Sequence, residues 1–320
     1  MQQMARIRCQ VDGVLLLDKP VGITSNAAVQ RIKRLFNAAK AGHVGTLDPL
    51  ASGLLPVCLG EATKFSADTF NAEKSYEAEV LLGVTTTTGD AEGEVISRQV
   101  VSVSREEVTR VLPCFAGPLQ QVPPMYSALK RHGKALYAYA REGQTVDRLP
   151  RAITIYNIGL LDFTGERFSI TVRCSKGTYI RVLAEDIGRA LGCGATLAAL
   201  RRTSVGGFGL QRAVNLQDLE GWQPAQRHGA LLPMDCLVSG LPALVLADNA
   251  VTRILQGQAA QTEAAPDTTG PVRLYDQNGR FLGLGEVLPG GRLLPRRLRA
   301  SPPPLLAAAD NASRQSIKIA

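Results

Sequence analysis

The sequence predicts an α+β protein: a mixed, largely antiparallel central sheet flanked by helices, followed by a small β-rich C-terminal domain. In residues 76–82, apolar side chains alternate with two glutamates, the pattern of a half-buried strand. Gly13–Leu17 is a short apolar run, typical of a buried strand. Near the C-terminus, Asn278-Gly279 separates two apolar runs and predicts a tight hairpin. A chain of 320 residues is long enough for about two domains.

The first strand is predicted to end at the turn Asp18-Lys19-Pro20. Ser25 is placed to cap the helix that follows. The apolar stripe of this helix consists of Val29, Ile32, Leu35 and Phe36. Further along, the sequence TTTTGDAEG at residues 85–93 predicts a turn, and residues 94–103 predict a strand that partners residues 76–82.

The middle of the chain predicts a helix and two strands. Ser104 and Glu107 have the spacing of a capping box, which predicts a helix through about Phe115. Strands are expected at residues 152–163 and 168–174.

A second helix is predicted to follow the sequence KGTYIR at residues 176–181. Leu183, Ile187 and Leu191 lie on one side of it, and Gly192 ends it. A further helix is expected to end near Leu200-Arg201-Arg202.

A glycine-rich connection and a proline-containing stretch predict a domain boundary near residues 235–245. We expect a first domain at residues 1–238, a second at residues 239–300 and a flexible, Pro- and Ala-rich tail at residues 301–320. The second domain is expected to contain a strand at 244–246, a helix at 250–255 ended by Gly257, and the Asn278-Gly279 hairpin.

Composition limits the class of protein. Lys and Arg number 36 against 28 Asp and Glu, an excess that attracts polyanions. The six cysteines form no C-x-x-C pair and no cluster with the three histidines, so we expect no metal site. The N-terminus has no apolar run typical of a signal sequence, and prolines interrupt the apolar residues 231–247. We therefore expect a cytoplasmic protein without a membrane span.

Two basic clusters favour RNA as the polyanion. Residues 123–151 interleave basic side chains with three tyrosines and contain only two acids. Basic groups can pair with phosphates while aromatic rings stack on bases, although a surface helical hairpin is the alternative. The candidate RNA contacts are Lys130, Arg131 and Arg141 in this segment, and Arg296, Arg297 and Arg299 near the C-terminus.

The stretch GHVGTLDPLASGLL, from Gly42 to Leu55, contains the strongest candidate for chemistry. Asp48 precedes a proline, which disfavours a helix at that residue, so the carboxylate is expected on a loop. An apolar segment follows and can support that loop, as is common for reactive residues. A turn-capping role is the alternative for Asp48 considered alone.

A single loop carboxylate favours isomerisation over hydrolysis. Glycoside hydrolysis normally uses two carboxylates. The only obvious second acid near Asp48 in the sequence is Glu61, which we interpret as an ordinary surface residue. If a base leaves a sugar carbon and returns through another atom, no water has to be activated, and one carboxylate can assist both steps. The chain also lacks a G-x-x-x-x-G-K-[ST] phosphate-binding loop, so nucleotide-driven chemistry has no support.

Four segments together resemble the TruB family, the bacterial tRNA pseudouridine-55 synthases. They are DKPVGITS (Asp18–Ser25), GHVGTLDPLASGLL (Gly42–Leu55), KGTYIRVLAEDIG (Lys176–Gly188) and LRRTSVGGF (Leu200–Phe208). The C-terminal unit resembles a PUA RNA-binding domain, so the resemblance extends to about residue 300. It implies conversion of one T-loop uridine of tRNA to pseudouridine, without cofactor or metal.

The resemblance also implies roles for individual residues. Asp48 matches the catalytic aspartate, and Arg181 matches the arginine that pairs with it. Tyr76 matches the tyrosine that stacks on the flipped uracil, and Leu200 matches an apolar contact in the uracil pocket. One small departure is Ser52, where the family usually has threonine, and the Pro- and Ala-rich tail is also unlike the family core.

Further matches concern residues around the pocket. His43 resembles the residue that enters the RNA loop where the base has left, and Tyr179 lies two residues before Arg181. Lys19, Pro20 and Lys64 fall in motifs that shape the site. Residues 123–151 resemble the family's insertion that closes over the T arm of tRNA.

Two other functions stay open from the sequence. A guide-dependent synthase of the same superfamily shares the catalytic motifs and the PUA unit, although the insertion favours a stand-alone, monomeric enzyme with no obligate protein partner. A non-catalytic tRNA-binding or tRNA-folding protein would need the basic surfaces but not Asp48.

Overall fold

A computed structural model describes residues 9–262 and 269–300 of the chain. The chain divides between Leu237 and Val238 into two compact units. The expected flexible tail at residues 301–320 lies outside the described residues. No helix in the described ranges is long and apolar enough to cross a membrane.

The described part of the first unit contains one large sheet and two small two-stranded sheets. Its strands are β1 (Gly13–Lys19), β2 (Ala41–His43), β3 (Ala51–Leu59), β4 (Lys74–Leu82), β5 (Val84–Thr86), β6 (Val95–Arg98), β7 (Gly117–Gln121), β8 (Lys130–Arg131), β9 (Lys134–Ala135), β10 (Arg151–Phe163), β11 (Arg167–Cys174), β12 (Ala195–Val205), β13 (Phe208–Gly209) and β14 (Val214–Asn215). The main sheet has the order β14-β1-β3-β12-β4-β11-β10-β7, with β2 paired to β3 and β13 to β12. Of the neighbouring pairs, β1/β14 and β3/β12 are parallel and the others are antiparallel. The predicted mixed, largely antiparallel sheet is confirmed.

Helices accompany these strands in the first unit. They are α1 (Ser25–Leu35), α2 (Ser66–Phe70), α3 (Arg105–Val111), α4 (Leu136–Arg141), α5 (Ile180–Ala190), α6 (Leu216–Gly221) and α7 (Pro224–Gly229). The Ser104–Glu107 capping box is present, and a 3₁₀ turn continues α3 to Phe115 as predicted. Helix α5 buries Leu183 and Ile187 in the core shared with the sheet, and Gly192, at φ +81°, follows its end.

The predicted cap of α1 is wrong by one residue. Thr24 has the extended backbone of an N-cap, and its hydroxyl accepts a hydrogen bond from Ala27 N at 3.1 Å. Ser25 is the first helical residue and is buried. Its hydroxyl bonds to the backbone of Leu47 instead, which places the start of α1 against the Asp48 loop.

The predicted helix ending at Leu200-Arg201-Arg202 is wrong, because these residues belong to strand β12. The sequence LAALRR contains good helix formers, but β12 fills the gap between β3 and β4 and pairs with both. Pairing within a sheet outweighs the small differences in intrinsic helix propensity.

The expected partner strand at residues 94–103 is only partly correct. Strand β6 covers Val95–Arg98 and pairs with β5 in a separate two-stranded hairpin, not with β4. Gly83, at φ +72°, turns the chain out of β4, and its carbonyl oxygen accepts a hydrogen bond from Gln99 N. Strand β4, which contains Tyr76, is an interior strand of the main sheet between β12 and β11.

The second unit is a small β domain. It contains β15 (Ala243–Val245), α8 (Asp248–Leu255), β16 (Ala260–Gln261), β17 (Gly270–Tyr275), β18 (Phe281–Val287) and β19 (Arg292–Leu298), with the strand order β15-β17-β18-β19-β16. The predicted hairpin between β17 and β18 is confirmed, with Asp276 accepting hydrogen bonds from Asn278 N and Arg280 N across the turn. Val272, Leu274 and Leu293 lie in its core.

Candidate active site

The loop around Asp48 is anchored on both sides of the carboxylate. The Ser25 hydroxyl accepts from Leu47 N at 2.8 Å and donates to Leu47 O at 2.9 Å. On the other side, Pro49 O accepts a hydrogen bond from Gly22 N at 2.8 Å. Both neighbours are tied to the start of α1 and the turn before it, so the position of Asp48 is fixed by hydrogen bonds to the backbone on either side of it.

Arg181 pairs with Asp48, the contact that the family resemblance implies. Its Nη2 lies 3.0 Å from Asp48 Oδ2, and its Nη1 lies 3.6 Å from Asp90 Oδ2. The guanidinium also donates to Thr88 O at 3.1 Å and to Tyr126 O at 2.7 Å. The Arg181 side chain is 6% exposed and that of Asp48 is 42% exposed. The arginine is therefore fixed inside the protein, while the carboxylate keeps an open side that a substrate can reach.

Asp90 is a second carboxylate that sequence reasoning missed. It is buried, and its Oδ1 accepts from Thr88 Oγ1 at 2.5 Å and from Glu92 N at 3.2 Å. In the sequence it belongs to TTTTGDAEG, which predicts only a turn. No local signal distinguishes this acid, because its contact with Arg181 joins residues 91 positions apart in the chain.

Opposing effects act on the charge of Asp48. Burial raises the pKa of this carboxyl above its ordinary value of 3.8, and the Asp90 carboxylate adds to that effect. The charges of Arg181 and Lys19 oppose it and favour the ionised form. The result is a partly desolvated carboxylate held against one firmly placed counter-charge.

Tyr76 and Arg202 form a buried cross-strand pair on β4 and β12. Burial raises the pKa of the Tyr76 hydroxyl, and the nearby Arg202 guanidinium opposes that shift. Arg202 donates from Nε to Leu54 O at 2.8 Å and from Nη2 to Gly45 O at 2.9 Å. This arginine, whose role the sequence did not suggest, joins β4, β3 and the loop after His43.

Lys19 is completely buried and maintains the turn that follows β1. Its Nζ donates to Pro20 O and Ile23 O, each at 2.8 Å. Burial lowers its pKa to about 8, against the raising effect of the Asp48 charge. Pro20 itself is exposed at the turn.

Two other predicted residues lie near this centre. Leu200 pairs with Ala51 on β3 and with Ala78 on β4, next to the end of the Asp48 loop. Tyr179 is the N-cap residue of α5. Burial raises the pKa of its hydroxyl, the Arg181 charge lowers that pKa and the Asp48 charge raises it.

His43 ends β2, and its Nδ1 is buried without a hydrogen-bond partner in the described part of the chain. Burial and the Arg202 charge lower the pKa of its ring.

Lys64 lies apart from these residues, because it follows the end of β3 that is opposite to Asp48. It forms an ion pair at 2.6 Å with Glu61, whose side chain is only 15% exposed. The interpretation of Glu61 as an ordinary surface residue is therefore wrong.

The predicted RNA contacts are exposed on both units, except for the half-buried Arg299. Lys130 and Arg131 form β8, and Arg141 ends α4. In the second unit, Arg296 and Arg297 belong to β19 and Arg299 follows it; Arg296 pairs with Glu286.

Family models match almost the whole described chain. The model for the N-terminal domain of the TruB family pseudouridylate synthases matches residues 33–180. Two TruB C-terminal models match residues 181–239 and 242–298. A tRNA pseudouridine synthase B of Dechloromonas aromatica is 54% identical, over 92% of this chain and 98% of its own length. The chain belongs to the TruB family. The resemblance stated from the four sequence segments is thus confirmed.

Another TruB relative and two solved structures are also similar to this chain. A tRNA pseudouridine synthase B of Azoarcus sp. is 56% identical, over 91% of this chain and 96% of its own length. The protein in an H/ACA RNP bound to a substrate RNA containing 2′-deoxyuridine is 28% identical, with a TM-score of 0.68 over 89% of this chain and 84% of that one. A chain of a Cbf5-Nop10-Gar1 complex is 31% identical, with a TM-score of 0.65 over 87% of this chain and 79% of that one.

Proposed function

We propose that this protein converts the uridine at position 55, in the T loop of tRNA, to pseudouridine. The observation that carries the proposal is the half-open Asp48 carboxylate held by the buried Arg181 guanidinium. The relatives at 54% and 56% identity are named tRNA pseudouridine synthase B, which supports tRNA as the substrate. Residues 1–238 would carry the catalysis, and residues 239–300 would bind RNA as a PUA-like domain.

The reaction is an isomerisation whose atoms balance without a cofactor. The bond between uracil N1 and ribose C1′ breaks, a bond between C5 and C1′ forms, and the proton leaves C5 while N1 gains one. Asp48 can attack the sugar, attack the base or accept the C5 proton, and each of these roles requires the ionised carboxylate. Arg181 supplies the charge that favours this form despite its burial.

The target base must leave the stacked T loop to reach Asp48, which costs a few kcal/mol. Tyr76 would stack on the flipped uracil, and Leu200 would form an apolar wall beside it. His43 would enter the RNA loop at the vacated position, and Tyr179 would complete the pocket. The turn at Lys19 and Pro20 would hold the Asp48 loop from one side.

Backbone contacts with the RNA would offset the cost of base flipping. The insertion at residues 123–151 would close over the T arm through Lys130, Arg131 and Arg141. Lys64 would contact RNA outside the uracil pocket. We propose that the enzyme acts on free tRNA in the cytoplasm, as a monomer without an obligate partner.

The guide-dependent alternative draws support from the H/ACA structures, but those chains are only about half as similar in sequence as the tRNA-acting relatives. We would incubate the purified protein with an unmodified tRNA transcript, without guide RNA, and map pseudouridine by carbodiimide primer extension. We expect conversion of one T-loop uridine. Tight binding without conversion would favour the guide-dependent enzyme or a non-catalytic RNA-binding protein.

Neutralising the C-terminal arginines should weaken RNA binding rather than chemistry. For a variant with Arg296, Arg297 and Arg299 changed to Ala, the slope of log affinity against log salt should fall by about one for each lost phosphate contact. Single-turnover rates at saturating RNA should stay within about twofold, since Asp48 is untouched. A variant with the exposed residues Arg98, Arg110 and Arg189 of the first unit changed to Ala is the charge-matched control. A salt slope of the Arg296, Arg297 and Arg299 variant equal to that of the wild type would contradict the RNA contact.

A further inference from the structure

The insertion at residues 123–151 follows the end of β7 and runs to the start of β10, two strands that are neighbours in the sheet. We call the paired strand ends the base of the insertion. Gln121, the last residue of β7, lies opposite Arg151, the first residue of β10, in an antiparallel pair. The ends of the insertion are therefore adjacent, and β7 and β10 hold them together. A displacement of the insertion is transmitted to whatever else this base contacts.

The Gln121 side chain joins this base to the start of α5. It is 4% exposed, and its amide makes two hydrogen bonds to the backbone of Tyr179. Oε1 accepts from Tyr179 N at 2.7 Å, and Nε2 donates to Tyr179 O at 3.1 Å. A side-chain amide that satisfies both backbone groups of one residue acts as a short piece of β-ladder and fixes that residue in place.

A second contact joins the insertion directly to the catalytic ion pair. Tyr126 O, five residues after Gln121, accepts a hydrogen bond at 2.7 Å from the Nη2 atom of Arg181 that also contacts Asp48. Arg181 comes two residues after Tyr179 on the first turn of α5. The base of the insertion is thus tied both to the start of this helix and to the tip of its arginine.

We propose that Gln121 is a positioning residue that holds Arg181 on Asp48 and couples closure of the insertion over RNA to the alignment of that ion pair. This inference rests on the proposed function. Arg181 serves Asp48, Asp90, Thr88 O and Tyr126 O together, so a small shift of its helix start would break contacts with several of them. Gln121 is buried and acts through Tyr179 and Arg181.

Gln121→Met tests this assignment, because methionine has nearly the same length but lacks the amide. Its neighbour Gln120, which is exposed on the same strand, provides the matched control Gln120→Met. At saturating tRNA, we expect the single-turnover rate of the Gln121→Met enzyme to fall about 10- to 100-fold, the usual cost of misplacing a catalytic group. Its Kd for RNA should change less than threefold.

The pH profile separates positioning from general loss of structure. Arg181, Asp90 and Lys19 are charged groups that act on Asp48, and the Glu92 carboxyl is coupled to it as well. Arg181 is the main group that lowers the pKa of Asp48. If Arg181 is less well held, the pKa of Asp48 rises, and the acid limb of the Gln121→Met rate profile moves to higher pH. Partial unfolding would reduce the amplitude of product formation without moving that limb.

A lower rate with an unchanged Kd and a displaced acid limb would support the coupling. A Gln121→Met enzyme with the same rate and pH profile as Gln120→Met would overturn it, as would a loss confined to RNA affinity. Thermal unfolding followed by circular dichroism checks that both variants are folded at the assay temperature. If the wild-type enzyme forms no pseudouridine, the proposed function fails first, so the two failures are distinguishable.

Discussion

Replacing Arg181 by Lys is expected to slow the single-turnover isomerisation about 10²- to 10³-fold, the usual effect of removing a fixed donor from an active site. Lysine keeps the charge but cannot reach Asp48, Asp90 and two carbonyl oxygens at once, because it lacks the planar guanidinium. The pKa of Asp48 should rise as its counter-charge becomes less well placed. The acid limb of the rate profile should therefore move to higher pH.

Arg189→Lys on the same helix is the matched control. Arg189 pairs with Asp186 at 2.7 Å, and its side chain is 76% exposed, so the change should leave both the rate and the pH profile unaltered. Single-turnover assays from pH 4 to 9 at saturating tRNA would make the comparison. Equal profiles for the two variants would contradict the role assigned to Arg181.

Replacing Gly53 by Ala is expected to lower the free energy of unfolding by about 2 to 5 kcal/mol, combining backbone strain with overpacking. Gly53 lies in β3 at φ +98°, where a side chain is strained in any surroundings. A Cβ there would lie only 2.3 Å from Arg202 O and 2.7 Å from Arg202 N. The pairing of β3 with β12, which supports the Asp48 loop, would have to open.

Gly165→Ala separates the strain from the clash. Gly165 has φ +86°, but a Cβ would meet no atom within 4 Å, so only about 1 to 2 kcal/mol of left-handed strain is expected. Denaturant unfolding of both variants would measure the difference. If the two losses of stability were equal, the close approach of β3 and β12 would contribute nothing.

Local sequence signals predicted most of the elements that hold the site. The apolar run of β1, the Ser104–Glu107 capping box and the Gly192 stop after α5 are each encoded within a few residues, and all are present in the structure. The wrong prediction of a helix at Leu200–Arg202 arises from contacts that local signals do not show. This segment has helix-forming composition, but its conformation is decided by two neighbouring strands that are distant in sequence.

In the site, too, some contacts were predicted and others, which join residues distant in sequence, were not. Asp48 and Arg181 were predicted as a pair through the family resemblance, and the structure places them 3.0 Å apart. Asp90, Arg202 and the Ser25–Leu47 contact were not predicted, because each acts through a partner at least 22 positions away. Such long-range polar contacts leave no periodic pattern in the sequence.

Asp48→Asn tests the central claim, that one ionised carboxylate carries the isomerisation. Asparagine keeps the shape of the side chain and one oxygen for Arg181, but it removes the negative charge. We would measure the Kd for an unmodified tRNA transcript and the single-turnover yield of pseudouridine, for wild type and variant side by side. We predict a Kd within threefold of the wild-type value and a rate lower by about 10⁴-fold or more, as for the loss of a catalytic residue elsewhere. An Asp48→Asn enzyme that converts the T-loop uridine at a rate near that of the wild type would contradict the account.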